Sequence, residues 1–186
     1  MTGDKLQINL KAARARAGLS LAQTSELTGV SKAMLGQIER GESSPTLATL
    51  WKIAKGFHLP LTAFLEDMVL TAGSFTPAPR IGHDRAGIGM HTVFAFDPRF
   101  GSETFVMTLE PGHRHETPSH DSGVVEDVFV IRGEMEVLTG GVWKRLHTGD
   151  GLRFPADQPH GYRNLTDEIA QFHNTIHYPR LALSEV

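Results

Sequence analysis

Three residues of types that hold metal ions stand at spacings that β-structure can bring together. The stretch PSHDSGVVEDVFVIRG, residues 118–133, places His120 and Glu126 at the entrance to an alternating apolar run, and HGYRN, residues 160–164, adds His160. Side chains along a strand alternate between faces, so Glu126, Val128 and Val130 share one side while Asp127, Phe129 and Ile131 share the other. The same rule groups His160, Tyr162 and Asn164. If Glu126 and His160 face a common interior and His120 bends back from just before the strand, two imidazoles and a carboxylate converge. That donor set suits a divalent ion, zinc first, with iron(II), nickel or manganese also accommodated, and it leaves coordination positions open. The plain alternative is that His113, His115, His120 and His147 lie in turn-like stretches, where an exposed imidazole needs no ligand role.

The elements that must position these residues belong to the second of two unlike halves. With 186 residues and 40% hydrophobic content, the chain can build one large core or two modest ones. Residues 1–66 carry eight Lys and Arg against five Asp and Glu, whereas residues 67–186 carry ten against sixteen, and nine of the ten histidines follow residue 66. There is no cysteine, so any metal must be held by histidine and carboxylate rather than thiolate. No apolar run approaches the roughly 20 residues that span a bilayer, and MTGDKLQINL lacks the layout of a signal peptide, so a cytoplasmic protein without membrane contact is expected.

Residues 5–66 have helical periodicity, broken at Gly18, Gly29, Gly41 and Pro60. Five short helices are expected. The first runs from about Lys5 to Ala17, Ser20 caps a second through Leu27, and Ser31 caps a third that Gly41 stops. A fourth turns Leu47, Leu50, Trp51 and Ala54 toward the core, and PLTAFL begins a fifth. On the third helix, Leu35 and Ile38 lie on one side while Lys32, Ala33, Gly36, Gln37 and Arg40 crowd another. Lysine and glutamine can hydrogen-bond base edges, alanine can touch a thymine methyl, and arginine can reach phosphate or guanine. A mid-helix glycine costs about 1 kcal/mol relative to alanine, which close approach of another backbone at Gly36 would offset. Periodicity alone leaves open a helical interaction module with a solvated polar face.

The run GLSLAQTSELTGVSKAMLGQIERGESSPTLATLWKIAKG resembles the Cro/repressor-type, or XRE family, helix-turn-helix in its GVS, its IERG and its P-T-L-x-T-L-x-K-I-A. The resemblance implies a supporting helix from Ser20 to Leu27 and a recognition helix from Lys32 to Arg40. Lys32, Ala33 and Gln37 then take the base-reading places with Ser31 and Met34 beside them, and Glu39 pairs with Arg14 for structure. Leu21 stands where the family often has a phosphate-contacting glutamine.

After a small, polar, proline-containing stretch, TAGSFTPAPR, the pattern changes to strands: HTVFAF, ETFVMTLE, VFVIRGEMEV, VWKRL and IAQFHNTIHY. Gly140-Gly141 is a hairpin signal, and many short antiparallel strands imply a sandwich or barrel. Gly112, Pro118, His120, Glu126 and Gly133 resemble the first cupin motif, and Gly149, Pro155, His160 and Asn164 the second. The resemblance implies a double-stranded β-barrel, or jelly roll, over residues 81–186, joined by a linker at 68–80 to a helix-turn-helix domain at 1–67, a multidomain α + β chain. Cupins normally supply a further histidine where this chain has Pro118, leaving water, His113, His115 or a bound effector to complete the shell.

Together the two signatures are similar to cupin-sensor transcription regulators, and GVSKAMLGQIERGESSPT to the subgroup containing a regulator of bacterial sulfur utilisation. They imply a homodimer without enzymatic activity that binds a palindromic double-stranded DNA operator. Its barrel is expected to take a small-molecule effector, anionic or sulfur-containing, in a pocket lined by Val128, Val130, Tyr162 and His173. Two other readings are an oxygenase-like cupin enzyme fused to a DNA reader, and a barrel that serves only for dimerisation.

Overall fold

The computed structural model describes residues 8–64, 80–81 and 87–179, and the chain divides into two compact units, Met1–Pro79 and Arg80–Val186. The linker expected at 68–80 lies outside the described residues, except that Arg80 pairs with His91 as a strand residue.

The first unit contains α1 (Leu10–Arg16), α2 (Leu21–Thr28), α3 (Lys32–Glu39), α4 (Leu47–Phe57) and a 3-10 turn at Leu61–Phe64. The first helix starts at Leu10 rather than Lys5, with Asn9 ahead of it bonded to the Phe64 carbonyl at 2.7 Å. The expected fifth helix is, within the described residues, this one 3-10 turn. Pro60 opens it, and the Ala63 amide reaches back to the Pro60 carbonyl at 3.1 Å, a bond of the tighter helix type. Ser20 caps α2 as expected, in a capping box in which it accepts from the Gln23 amide at 3.2 Å and Gln23 accepts from the Ser20 amide at 2.9 Å. Ser31 caps α3 through the Met34 amide. On α4 the buried stripe is Leu47, Leu50, Ile53 and Ala54, and Trp51, expected in the core, is half-buried on its flank.

Arg14 fastens three pieces of this unit. Its Nε and Nη2 donate to the two carboxylate oxygens of Glu39 at 2.7 and 3.0 Å, and Nη1 donates to the Leu19 carbonyl at 2.9 Å. The fork ties α1 to α3 and to the turn before α2, so the presentation of α3 is set partly by a charged pair.

The second unit is a jelly roll of two antiparallel sheets. A six-stranded sheet has the order β1 (Arg80–Ile81), β2 (Ile88–Asp97), β3 (Ser102–Leu109), β10 (Ala170–His177), β5 (Val125–Arg132), β8 (Gly151–Pro155). A four-stranded sheet has the order β4 (Arg114–Thr117), β9 (His160–Arg163), β6 (Glu134–Thr139), β7 (Val142–His147). From β3 to β10 the chain passes repeatedly between the sheets, which puts two layers of alternating side chains face to face. The expected single run VFVIRGEMEV is two strands on different sheets, because Gly133 breaks it with φ 79°. A Cβ there would lie 2.7 Å from the Ile169 carbonyl oxygen, so no other residue fits that crossing without backbone movement. The Gly140-Gly141 hairpin forms between β6 and β7, with both residues at positive φ. The core between the sheets includes Phe105, Phe172, Met107, Leu109, Val137 and Met135.

Close backbone approach in the helical unit occurs at Gly56, not at Gly36. A Cβ on Gly56 would lie 2.8 Å from Thr28 Cγ2 and 3.0 Å from the Leu27 carbonyl and Thr28 Cα, whereas one on Gly36 would meet only the Arg40 side chain, at 3.0 Å from Nη1. Gly56→Ala is therefore expected to destabilise the helical unit by about 1–3 kcal/mol through overpacking of α2 against α4, despite better helix propensity. Gly36→Ala should be neutral or stabilising by up to about 1 kcal/mol. Urea denaturation of the full chain followed by helical circular dichroism checks both signs.

Candidate metal centre and nucleic-acid interface

Within the second unit, strand alternation carries Glu126, Val128 and Val130 to the inner face, all three buried. β9 brings His160 and Tyr162 to the facing layer, with exposures of 1% and 2%. His120 lies in the loop before β5, where its backbone amide is pinned to the Ala156 carbonyl at 2.9 Å. The three residues flagged by type and spacing thus converge: the ligand atoms of His120, Glu126 and His160 lie within 4.8 Å of one another.

Their mutual geometry has a donor problem that a cation solves. His160 Nδ1 is 2.9 Å from the Gln158 carbonyl oxygen, which can only accept, so Nδ1 carries the proton. In a neutral ring Nε2 is then a bare lone pair, and it sits 3.3 Å from Glu126 Oε1 with no hydrogen-bond partner among the described residues. His120 Nε2 approaches the same oxygen at 2.8 Å. His120 can donate to that oxygen as a neutral Nε2–H tautomer, but the bare His160 Nε2 facing the same carboxylate oxygen needs positive charge between them, either a proton or a metal ion. Burial works against ionising Glu126, but the adjacent imidazoles outweigh it and hold the carboxyl well below its usual range. Burial likewise opposes protonation of His160, and the charge of Glu126 outweighs that and raises its pKa. The residues therefore fit a divalent ion bound by two histidines and one carboxylate, a set that leaves about one net positive charge and open positions.

The second oxygen of Glu126 is held separately. Tyr162 donates its hydroxyl proton to Oε2, and Asn174 Nδ2 donates to the same oxygen at 3.1 Å and to the Tyr162 oxygen at 3.2 Å. Burial, reinforced by the neighbouring Glu126 charge, pushes the Tyr162 phenol well above its ordinary value, so it keeps the proton it donates. Tyr162, expected to line an effector pocket, thus has its polar end on the carboxylate.

His173 does not line the interior. It is exposed on the outer face of β10, because Phe172, Asn174 and Ile176 occupy the buried register. Asn174, overlooked beside a more conspicuous histidine, is the residue that reaches the cluster, and its cue was a polar residue on the apolar register of an alternating strand. Asn164 is buried but structural, its Nδ2 donating to the Leu109 and Glu168 carbonyls at 3.2 and 2.6 Å. Pro118 is exposed just after β4. His113 and His115 stack with centroids 6.4 Å apart and are not part of the cluster.

In the first unit, α3 buries Leu35, Gly36 and Ile38 and leaves Ser31, Lys32, Ala33, Met34 and Gln37 exposed. Gly36, expected on the polar face, lies beneath the Arg40 side chain. Arg40 is exposed and engages Glu42 through Nε and Nη2 at 2.7 and 2.8 Å, an exposed pair of small energetic weight. Among the described residues no helix is long and apolar enough to cross a membrane.

Comparison with known proteins agrees with both units. The helix-turn-helix family model matches residues 10–64 and the cupin domain model residues 105–176. The HTH-type transcriptional regulator SutR of Escherichia coli (strain K12) is 43% identical over 175 residues, 94% of this chain and 96% of that protein. A crystal structure of an HTH_3 family transcriptional regulator from Vibrio cholerae superposes with a TM-score of 0.77 at 44% identity, covering 92% of this chain and 93% of that one. The cupin domain of an XRE family transcriptional regulator from Enterobacter cloacae, 38% identical, covers 50% of this chain and 99% of its own, with a TM-score of 0.50.

Because Tyr162 orients Glu126, Tyr162→Phe is expected to weaken zinc binding by about 10–100-fold, and Glu126→Gln to weaken it further. Competition against a chromophoric chelator measures both. Unchanged affinity in the two variants would rule this cluster out as the zinc site.

Proposed function

The chain belongs to the helix-turn-helix transcriptional regulators that carry a cupin domain, and on that premise we propose that its barrel is a metal-dependent sensor of a small molecule that controls operator binding by a homodimer. The observation that carries the proposal is the sharing of one Glu126 oxygen by His120 and His160 while the Gln158 carbonyl holds the His160 tautomer. Zinc is the first ion to test, and when bound it would supply a Lewis-acidic position for an anionic effector. His120, Glu126 and His160 are the proposed ligands, Tyr162 and Asn174 orient the carboxylate, and Val128 and Val130 furnish apolar wall.

Lys32, Ala33 and Gln37 are the proposed base-reading residues, flanked by Ser31 and by Met34, which is 42% exposed and suited to a thymine methyl. Arg40 reaches phosphate by exchanging Glu42 for the DNA backbone, an exchange that salt would weaken. One such helix offers few phosphate contacts, so a dimer reading two half-sites about 34 Å apart gains affinity from high effective concentration. An effector changes that affinity only by binding one arrangement of the dimer better than another. Near-full-length similarity to named transcriptional regulators favours a regulator over a cupin enzyme.

The test pairs two variants in electrophoretic mobility shifts at fixed salt. Lys32→Ala with Gln37→Ala is expected to lose at least tenfold of operator specificity, while His160→Ala keeps operator binding and loses the effector response. Retained specificity in the first variant would falsify the base-reading assignment. Normal regulation by the second would leave the barrel as a dimerisation block.

A further inference from the structure

Two polar atoms on the inner face of the six-stranded sheet are left over by the metal centre. Among the described residues, Asn174 Oδ1 and Thr92 Oγ1 have no hydrogen-bond partner, in residues only 4% and 1% exposed. The orientation of the Asn174 amide is forced. A carboxylate only accepts, and the Tyr162 hydroxyl has given its one proton to Glu126, so the amide nitrogen must face both and the carbonyl oxygen must face away. Thr92 stands in the same row of the sheet: Thr92 opposes Phe105, Phe105 opposes Asn174, and Asn174 opposes Val128. Opposed residues of a ladder share a face, so both leftover atoms rise from one wall, about 10 Å apart at two strand spacings. A buried polar group without a partner costs about 1–3 kcal/mol, and an apolar side chain of the same shape would avoid that cost. The neighbouring row of the same wall carries the buried carboxylates Glu103 and Glu126 either side of Ile176, and two leftover polar atoms beside it, one on the residue whose amide nitrogen holds Glu126, mark a surface built to meet something polar.

We propose that Asn174 Oδ1 is the effector-reading acceptor of the barrel, and that the effector is a small carboxylate bearing an N–H or O–H donor beside the carboxylate, an amino or hydroxy acid. The inference rests on the metal-dependent sensing proposed above. The residual positive charge at His120, Glu126 and His160 calls for an anionic group. Asn174 Oδ1 can only accept, so the adjacent part of the ligand must donate. Phe105 and Val128 flank Asn174 in the row and give the ligand body an apolar wall, with the Thr92 hydroxyl beyond.

Three probes of one skeleton separate the requirements: L-lactate carries a hydroxyl, L-alanine an ammonium, and propionate neither. Calorimetric titration of the zinc-loaded full chain is expected to show lactate or alanine binding at least tenfold tighter than propionate. Chelation by the hydroxyl could produce a preference by itself, so the diagnostic is its change in Asn174→Leu, titrated at saturating zinc with the bound zinc measured, where it should shrink at least fivefold. Should that variant lose zinc or fail to fold, the wild-type side-chain amide resonance of Asn174 decides, shifting with the preferred acid and not with propionate. An equal preference in both proteins, an equal shift with propionate, or no binding of any probe to zinc-loaded protein overturns the inference while leaving the metal centre standing. Wild-type protein that takes up no zinc overturns both.

Discussion

A carboxylate 1% exposed between two imidazoles is the constraint around which the second unit is organised. Taking an ionised carboxylate out of water is costly unless it is paired and hydrogen-bonded. Each oxygen of Glu126 meets that demand differently. Tyr162 and Asn174 saturate one with neutral donors, and the other faces two histidine nitrogens, of which the orphaned His160 Nε2 calls for a proton or a metal ion. The jelly roll makes the convergence possible because β5, β9 and β10 present alternate residues from opposing sheets, while the loop carrying His120 is tied by its own backbone to the end of β8. A metal ion or a proton at the shared oxygen completes the charge balance.

The helical unit solves a different problem with a related device. Arg14 and Glu39 place a bidentate ion pair, with side chains 21% and 8% exposed, between the helix that opens the unit and the helix that carries the proposed reading face. Glu39 is thereby removed from that face, where a carboxylate would repel phosphate. Gly56 lets α4 close on α2, and the capping box at Ser20 satisfies the first amides of α2, so the exposed face of α3 is left without structural duties. Among the described residues, Lys32, Ala33, Met34 and Gln37 make no side-chain bond that the unit requires, which leaves their exposed side chains available to a partner.

Much of this was legible in the sequence, for reasons particular to each residue. Helix caps at Ser20 and Ser31 follow from local hydrogen-bond chemistry, and strand alternation groups Glu126 with Val128 and Val130, and His160 with Tyr162, without reference to any other element, while which face turns inward is set by how the sheets pack. The Arg14–Glu39 pair followed from the family resemblance alone. What local pattern does not encode was missed. Gly36 was expected to meet another backbone, but backbone proximity depends on how two helices cross, and the crossing point is Gly56. In the run from Val128 to Val137 the buried apolar positions are even-numbered before Gly133 and odd-numbered after it, a change of phase that reading the stretch as one strand passed over. His173 was expected to line the effector pocket although the apolar register of its strand runs through Phe172 and Ile176. That register contains Asn174, and reading it would have found the residue that holds Glu126.

The shared Glu126 oxygen is tested most directly by long-range proton–nitrogen correlation NMR of the histidine rings before and after one equivalent of zinc. Coordination at this cluster should move the Nε2 resonances of His120 and His160 into the metal-bound range while His160 Nδ1 keeps its proton on the Gln158 carbonyl. Nε2 signals that stay where they were in the metal-free protein, or a His160 ring that binds zinc through Nδ1, would contradict it.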